Sequence, residues 1–226
     1  MKRLFILATV CGFILLVGAT GAWADSMAIG ILNIGNSAIS GYAAGYAQIM
    51  IDLTSSTMAT ITFTSLSSAD GNIYLLGGHG AVAINVNASS WDIDFGAITA
   101  SNAGTGFSTP SYSDGGSVNV SGFGSFNQTI DGFDGFTHSG DNISFNLSNT
   151  AGTWADATDV LITNNKGEDA GAHIFVTSTP ANASNGALAI GFAVDNDVIA
   201  VPEPSLLILL GIGVGAVSLL AYRFKI

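Results

Sequence analysis

Apolar and polar residues alternate with a period of two along much of this chain. Ile49, Ile51 and Leu53 are separated by Met50 and Asp52, and Ala59, Ile61 and Phe63 are interleaved with Thr60, Thr62 and Thr64. In "ISFNLSN", Ile143, Phe145 and Leu147 fall on one side and Ser144, Asn146 and Ser148 on the other. Successive strand residues point to opposite faces, so these runs predict strands that are buried on one face and solvated on the other. Weaker alternation predicts further strands over 81–87, 117–121, 159–163, 173–177 and 187–194. Between them lie "SSADGN", "SNAGTG", "SDGG" and "NNKGEDAG", whose Gly, Asn and Asp residues supply the positive-φ positions of turns. No stretch over 25–200 holds a 3.6-residue apolar period beyond one or two turns. The pattern predicts an all-β fold: a single antiparallel β-sandwich, with jelly-roll and immunoglobulin-like topologies both open.

The two ends read differently. Lys2 and Arg3 precede an apolar run over 4–17, and Ala22-Trp23-Ala24 places small residues at alternate positions before Asp25. That order predicts a secretory signal peptide over 1–24, cut by signal peptidase between Ala24 and Asp25. Cys11 lies inside the apolar run, so the segment 25–200 has no cysteine and can use neither disulfides nor thiolate chemistry. At the other end, 205–222 carries no charge. As a helix it reaches roughly 27 Å, close to a hydrocarbon core of about 30 Å. Arg223 and Lys225 follow at once and predict a cytoplasmic tip, with the rest of the chain outside.

These ends inflate the mean hydropathy of +0.51. Between Asp25 and Val201 the only cation is Lys166, against fifteen carboxylates, a net charge of −14. Such a segment excludes nucleic acid as a partner, since phosphates are gripped by Lys and Arg, and it disfavours anionic lipid.

The C-terminal "VPEPSLLILLGIGVGAVSLLAYRFKI" joins Pro202, Glu203 and Pro204 to an apolar span and a basic tip formed by Arg223 and Lys225. It resembles the tripartite PEP-CTERM sorting signal, also labelled the ice-binding protein C-terminal domain; Phe224 interrupts the basic run that the family usually has. The resemblance covers 201–226. It implies recognition by exosortase, a membrane-embedded cysteine transpeptidase, and a route through the inner membrane to the cell surface or extracellular matrix of a Gram-negative bacterium. The segment 133–176 also resembles PEP-CTERM proteins without an assigned activity. The expected organisation is therefore a signal peptide over 1–24, a secreted acidic β domain over 25–200 and a sorting signal over 201–226.

Candidate chemistry within the β domain is sparse. His138, Ser139 and Asp141 in "THSGD" are triad residue types, but three groups on one loop rarely reach the in-line geometry of a triad, and a turn is the simpler reading. Asp92 and Asp94 in "WDIDFG" would share a strand face, as paired carboxylates or calcium ligands. Calcium is the candidate ion, with Asp131, Asp134 and Asp141 as its candidate ligands and "DND" at 195–197 a further oxygen source; ordinary Asp and Asn turns compete with it. No other cofactor is expected. Trp91, Trp154 and Tyr112 offer a sugar-stacking platform, whereas Phe123, Phe126, Phe133 and Phe136 read as core, as does His173. The expected function is that of a non-enzymatic surface or exopolysaccharide-matrix protein, with signal peptidase, the secretion machinery, exosortase and extracellular polysaccharide as partners. The alternative is a secreted carbohydrate-binding or polysaccharide-acting protein with a membrane tail.

Overall fold

The computed structural model describes residues 26–101, 104–108, 111–133, 135–195 and 197–201. The signal-peptide residues with Ala22, Ala24 and Asp25, the motif Pro202-Glu203-Pro204, the span 205–222, Arg223, Lys225 and Asp134 lie outside them.

Sixteen strands are described. They are β1 (Ser26–Leu32), β2 (Ile34–Gly35), β3 (Ala47–Ser55), β4 (Met58–Ser65), β5 (Asn72–Leu76), β6 (Val82–Ile84), β7 (Trp91–Ile93) and β8 (Thr99–Ser101), then β9 (Gly104–Thr105), β10 (Tyr112–Val120), β11 (Gly124–Gly132), β12 (Asn142–Asn149), β13 (Ala170–Ser178), β14 (Ala181–Asn182), β15 (Ala189–Asp195) and β16 (Ile199–Val201). The helical elements among the described residues are 3-10 turns of three or four residues, and none is long and apolar enough to cross a membrane.

Two antiparallel seven-stranded sheets make up the body. The first runs β16-β1-β3-β4-β12, with β7 and β8 side by side on the far edge of β12. The second runs β10-β11-β6-β13-β15-β2, with β5 continuing the edge of β13 beyond β6. β9 and β14 form a separate parallel pair. One apolar cluster fills the space between the sheets: Ile49, Ile51, Ile61, Phe63, Phe145 and Leu147 from the first meet Tyr74, Leu76, Val82, Ile84, Ile174 and Val176 from the second. The expected all-β, sandwich-like character holds.

The alternation read from the sequence is the alternation of burial. In β3, β4 and β12 every odd-numbered residue from 47 to 53, 59 to 63 and 143 to 149 is buried, and the intervening residues are half-buried or exposed. The pairing β3–β4–β12 aligns Ile49 with Phe63 and Ile143, and Ile51 with Ile61 and Phe145, so apolar rows cross the sheet in register. A slip of one residue would turn all of them to solvent.

Two predicted elements differ. The strand expected over 159–163 is a 3-10 turn at Ala157–Asp159 followed by a single bridge from Leu161 to Val86. Asp156 accepts the Thr158 N–H at 2.8 Å and bends the chain, which lets the neighbours Val160 and Leu161 both be buried. The turn expected at "SDGG" is part of β10, where the register shifts at Gly116 and the strand bulges instead of reversing.

Phe63→Ala, at a fully buried position, is expected to lower unfolding free energy by about 3–5 kcal/mol, while Met58→Ala, at the exposed start of the same strand, should cost less than about 1 kcal/mol. Urea titration of both variants checks this; equal losses would mean that β4 does not face a common core.

Candidate functional site

The second sheet is covered on both faces, and its outer covering places most of the chemistry. Phe175 and Leu75 pack with Phe107, Phe136 and Ala181, while Phe126, Phe123, Val120 and Val194 form a neighbouring cluster with Phe192. His173 stacks on Phe192 with ring centroids 4.5 Å apart and lies 4.9 Å from the Phe175 ring, joining the two clusters. Burial pushes its pKa below 6.5.

The loop "GGHG" at 77–80 crosses this covering. A Cβ on Gly77 would stand 2.8 Å from Ser139 Cα, and one on Gly78 would stand 2.9 Å from His173 Nδ1. Gly78 and Gly80 also have φ of +73° and +64°, which favours glycine at both. This backbone sets His79 at the rim of β11. Its Nδ1 lies 2.7 Å from Asp131 Oδ2, and the Gly80 N–H donates to Asp131 Oδ1 at 2.7 Å. Asp131 is therefore a buried strand residue at 5 % exposure with both carboxylate oxygens occupied, not the open loop ligand expected for calcium. The His79 side chain is 74 % exposed. The pair orients an imidazole toward water by a buried carboxylate.

The other candidate residues stand apart. Asp141 accepts from Ser101 Oγ. His138 Nδ1 pairs with Thr137 Oγ1 at 3.2 Å, and Ser139 is fully buried and donates to the Phe136 carbonyl at 2.8 Å. Each member of "THSGD" thus has its own partner, and they form a turn, not a triad. Asp92 lies in β7, but Asp94 caps the 3-10 turn Phe95–Ala97 by accepting from the Gly96 N–H, so the two do not share a strand face. Among the described residues no three His, Cys, Asp or Glu side chains form a ready metal cluster.

The aromatic platform does not assemble. Trp154 is 2 % exposed and donates to the Asn87 carbonyl, while Trp91 donates to Gln128 Oε1 at 2.9 Å. Tyr112 is half-buried and its hydroxyl has no partner; burial raises its pKa. Of the four phenylalanines expected in the core, Phe133 is 51 % exposed. It follows Gly132 at the end of β11, past the last residue that the sheet pairs.

The outer face of the first sheet carries a regular polar ladder. Thr60 Oγ1 lies 3.0 Å from Asn146 Oδ1, Thr62 Oγ1 lies 2.8 Å from Ser144 Oγ, and Asn142 Nδ2 donates to Thr64 Oγ1 at 3.2 Å. These three rungs follow the register of β4 and β12. Toward the edge, β1 and β16 replace it with Met27, Ile31 and Ile199, which are 37 %, 37 % and 55 % exposed.

No protein-family model, curated protein or solved structure significantly matches the chain.

Two tests address the outer covering. Asp131→Ala should destabilise by about 1–3 kcal/mol, because it strips the partner from the Gly80 N–H, whereas His79→Ala should cost no more than about 1 kcal/mol, since the imidazole is exposed to water and Asp131 keeps its bond from the Gly80 N–H. Chemical denaturation of the two variants separates a structural carboxylate from a mere surface pair; comparable small losses would contradict the assignment. For His173 the folded pKa lies below the unfolded value of 6.5, so its contribution to stability is present above that value and is lost as pH falls below it. His173→Phe should therefore reduce the fall in stability between about pH 6.5 and pH 5; an unchanged slope would show that His173 is not the titrating group.

Proposed function

We propose that this chain is an exported, non-enzymatic protein that is sorted through its C-terminal PEP-CTERM-like signal and ends at the cell surface or in the exopolysaccharide matrix of a Gram-negative bacterium. The observation that carries the reading is the order within 201–226: Pro-Glu-Pro, an uncharged span and two cations. The described core is compatible with a removable tail. β16 is a three-residue edge strand, Val201 pairs with Met27 of β1, and the buried members of the interior apolar cluster end at Ala193, with Val198 packed against it. Pro202 has no N–H to donate and disfavours helical geometry for Val201 before it. Prolines at 202 and 204 favour extended backbone, which would suit a protease that binds substrate as an added strand.

In this reading signal peptidase acts before Asp25, the uncharged span holds the intermediate in the inner membrane with Arg223 and Lys225 inside, and exosortase acts at the motif. An immunoglobulin-like or jelly-roll β-sandwich is the exported body. A second reading, binding of extracellular polysaccharide, is favoured by the ladder of Thr60, Thr62, Thr64, Asn142, Ser144 and Asn146, whose hydroxyls and amides share the outer face of β4 and β12 at strand spacing.

Glu203→Ala leaves the span and its cations intact, so membrane insertion should survive while processing is lost. Mass spectrometry of the exported protein is expected to find a parent without 205–226 and a variant that retains it. Identical C-termini in both, still carrying Arg223 and Lys225, would make the tail a simple anchor.

A further inference from the structure

Along the outer face of the first sheet the side chains change character. β4 and β12 carry the polar rungs, whereas β16 and β1 turn Ile199, Val201, Met27, Ile29 and Ile31 outward. Met27 pairs with Val201 and Ile29 with Ile199, and residues paired across antiparallel strands share a face. Met50 of β3, opposite Ile29, extends this apolar row, and Thr62, opposite Met50, ends it. Met27, Ile31 and Ile199 are exposed, while Ile29, Met50 and Val201 are half-buried. The patch measures roughly 13 Å along β1 and about 10 Å across three strands.

An antiparallel sheet that faces water on one side places polar residues there, as β4 and β12 do. Contiguous apolar residues on such a face, at an edge, mark a contact surface. What covers it follows from where the chain leads. Val201 belongs to the patch, and the uncharged stretch 205–222 starts four residues later. Four residue steps reach at most about 14 Å, so a membrane holding that stretch lies within reach of the patch. The contact would be apolar and not a grip on lipid phosphates: Lys166, the only Lys or Arg among the described residues, lies beside Gly124 of β11 on the other sheet, and Asp52 stands opposite Met27 at the border of the patch.

We propose that, while 205–222 holds the chain in a bilayer, the outward face of β16 and β1 lies against the lipid surface of that membrane, with Met27, Ile29, Ile31 and Ile199 in the interfacial layer. The inference rests on reading 205–222 as a membrane span. Lipid suits the patch better than a second copy of the chain, because a footprint on the order of 10² Å² is far below the roughly 800 Å² per partner of a stable protein interface. A tether removes that requirement, since it turns a weak contact into an intramolecular one at high effective concentration. Two consequences follow from the size of the patch. It does not hold the β domain on the membrane by itself, so loss of the tail releases the domain. Until then it keeps Val201, the residue before Pro202, at the membrane surface.

Because Cys11 is the only cysteine, a Cys11→Ser background lets one fluorescent label report on the full chain. The label is placed at Ile199→Cys in the patch or at Ser125→Cys, an exposed position in the β10–β11 hairpin of the other sheet. The chain is reconstituted in phosphatidylcholine vesicles that carry a nitroxide near the headgroup, and intact mass establishes that 205–226 is present. Quenching at 199 should exceed that at 125 by about twofold or more, as expected for a face seated in the interfacial layer. Met27→Ser with Ile31→Ser, both on the outward face, should lower it to the level at 125 while the chain still floats with the vesicles. Equal quenching at 199 and 125 in a floating chain would overturn the docking and leave the span standing. A chain that carries 205–226 and does not float would overturn the span, and the docking with it. A label at 199 shielded from lipid but self-quenched between copies would assign the face to a second copy and overturn the lipid contact.

Discussion

The contact between Phe63, Ile61 and Phe145 on one sheet and the row of Tyr74, Leu76, Ile174 and Val176 on the other is the interaction on which the rest of this protein depends. No disulfide is available over 25–200, and the helical elements described are single 3-10 turns, so the folded state rests on apolar area removed from water between two sheets. That mechanism works only if the side chains keep strict alternation and the strands keep their register. β3, β4 and β12 meet both conditions. The outer residues of β4 and β12 are then free to be Thr, Ser and Asn, which pair laterally across the two strands and leave a polar outer surface.

The second sheet departs from this economy. Gly171, His173, Phe175 and Thr177 of β13 point away from the shared core and are covered by loops and by the β10–β11 hairpin. Covering a sheet on its outer face with irregular chain brings backbone and polar atoms close to buried apolar ones. The structure answers with glycines at the closest approaches and with single hydrogen-bonded acids such as Asp131 under Gly80. Histidine at 173 suits this layer because its ring is flat enough to stack between Phe192 and Phe175, and burial keeps it neutral.

This difference between the sheets also explains how much is legible in the residues alone. The strands of the first sheet that face water on one side announce themselves by alternation. β1 does not, because Gly30 interrupts its pattern to admit Asp195, and Met27, Ile29 and Ile31 are apolar on the outward side. β11 reads as a Gly- and Phe-rich loop because five consecutive residues, 128–132, are buried under cover on both faces. Asp131 is visible in the sequence as a carboxylate beside glycine but not as the partner of His79, which lies far earlier in the chain. The glycines flanking His79 are the available signal.

Ser26 and Val201 lie at the same end of the paired edge strands β1 and β16, so the described chain begins and ends side by side on the rim of the first sheet. β1 adds Ala28 and Leu32 to the core, whereas the residues of β16 are exposed or half-buried. Hydrogen exchange on the full chain, followed by strand, measures that division of stability directly. Amides of β4, β12 and β13 are expected to exchange last and together, at the rate of global unfolding, while those of β16 exchange much earlier. Protection of β16 equal to that of β13 would contradict this division, since β16 would then belong to the cooperative core.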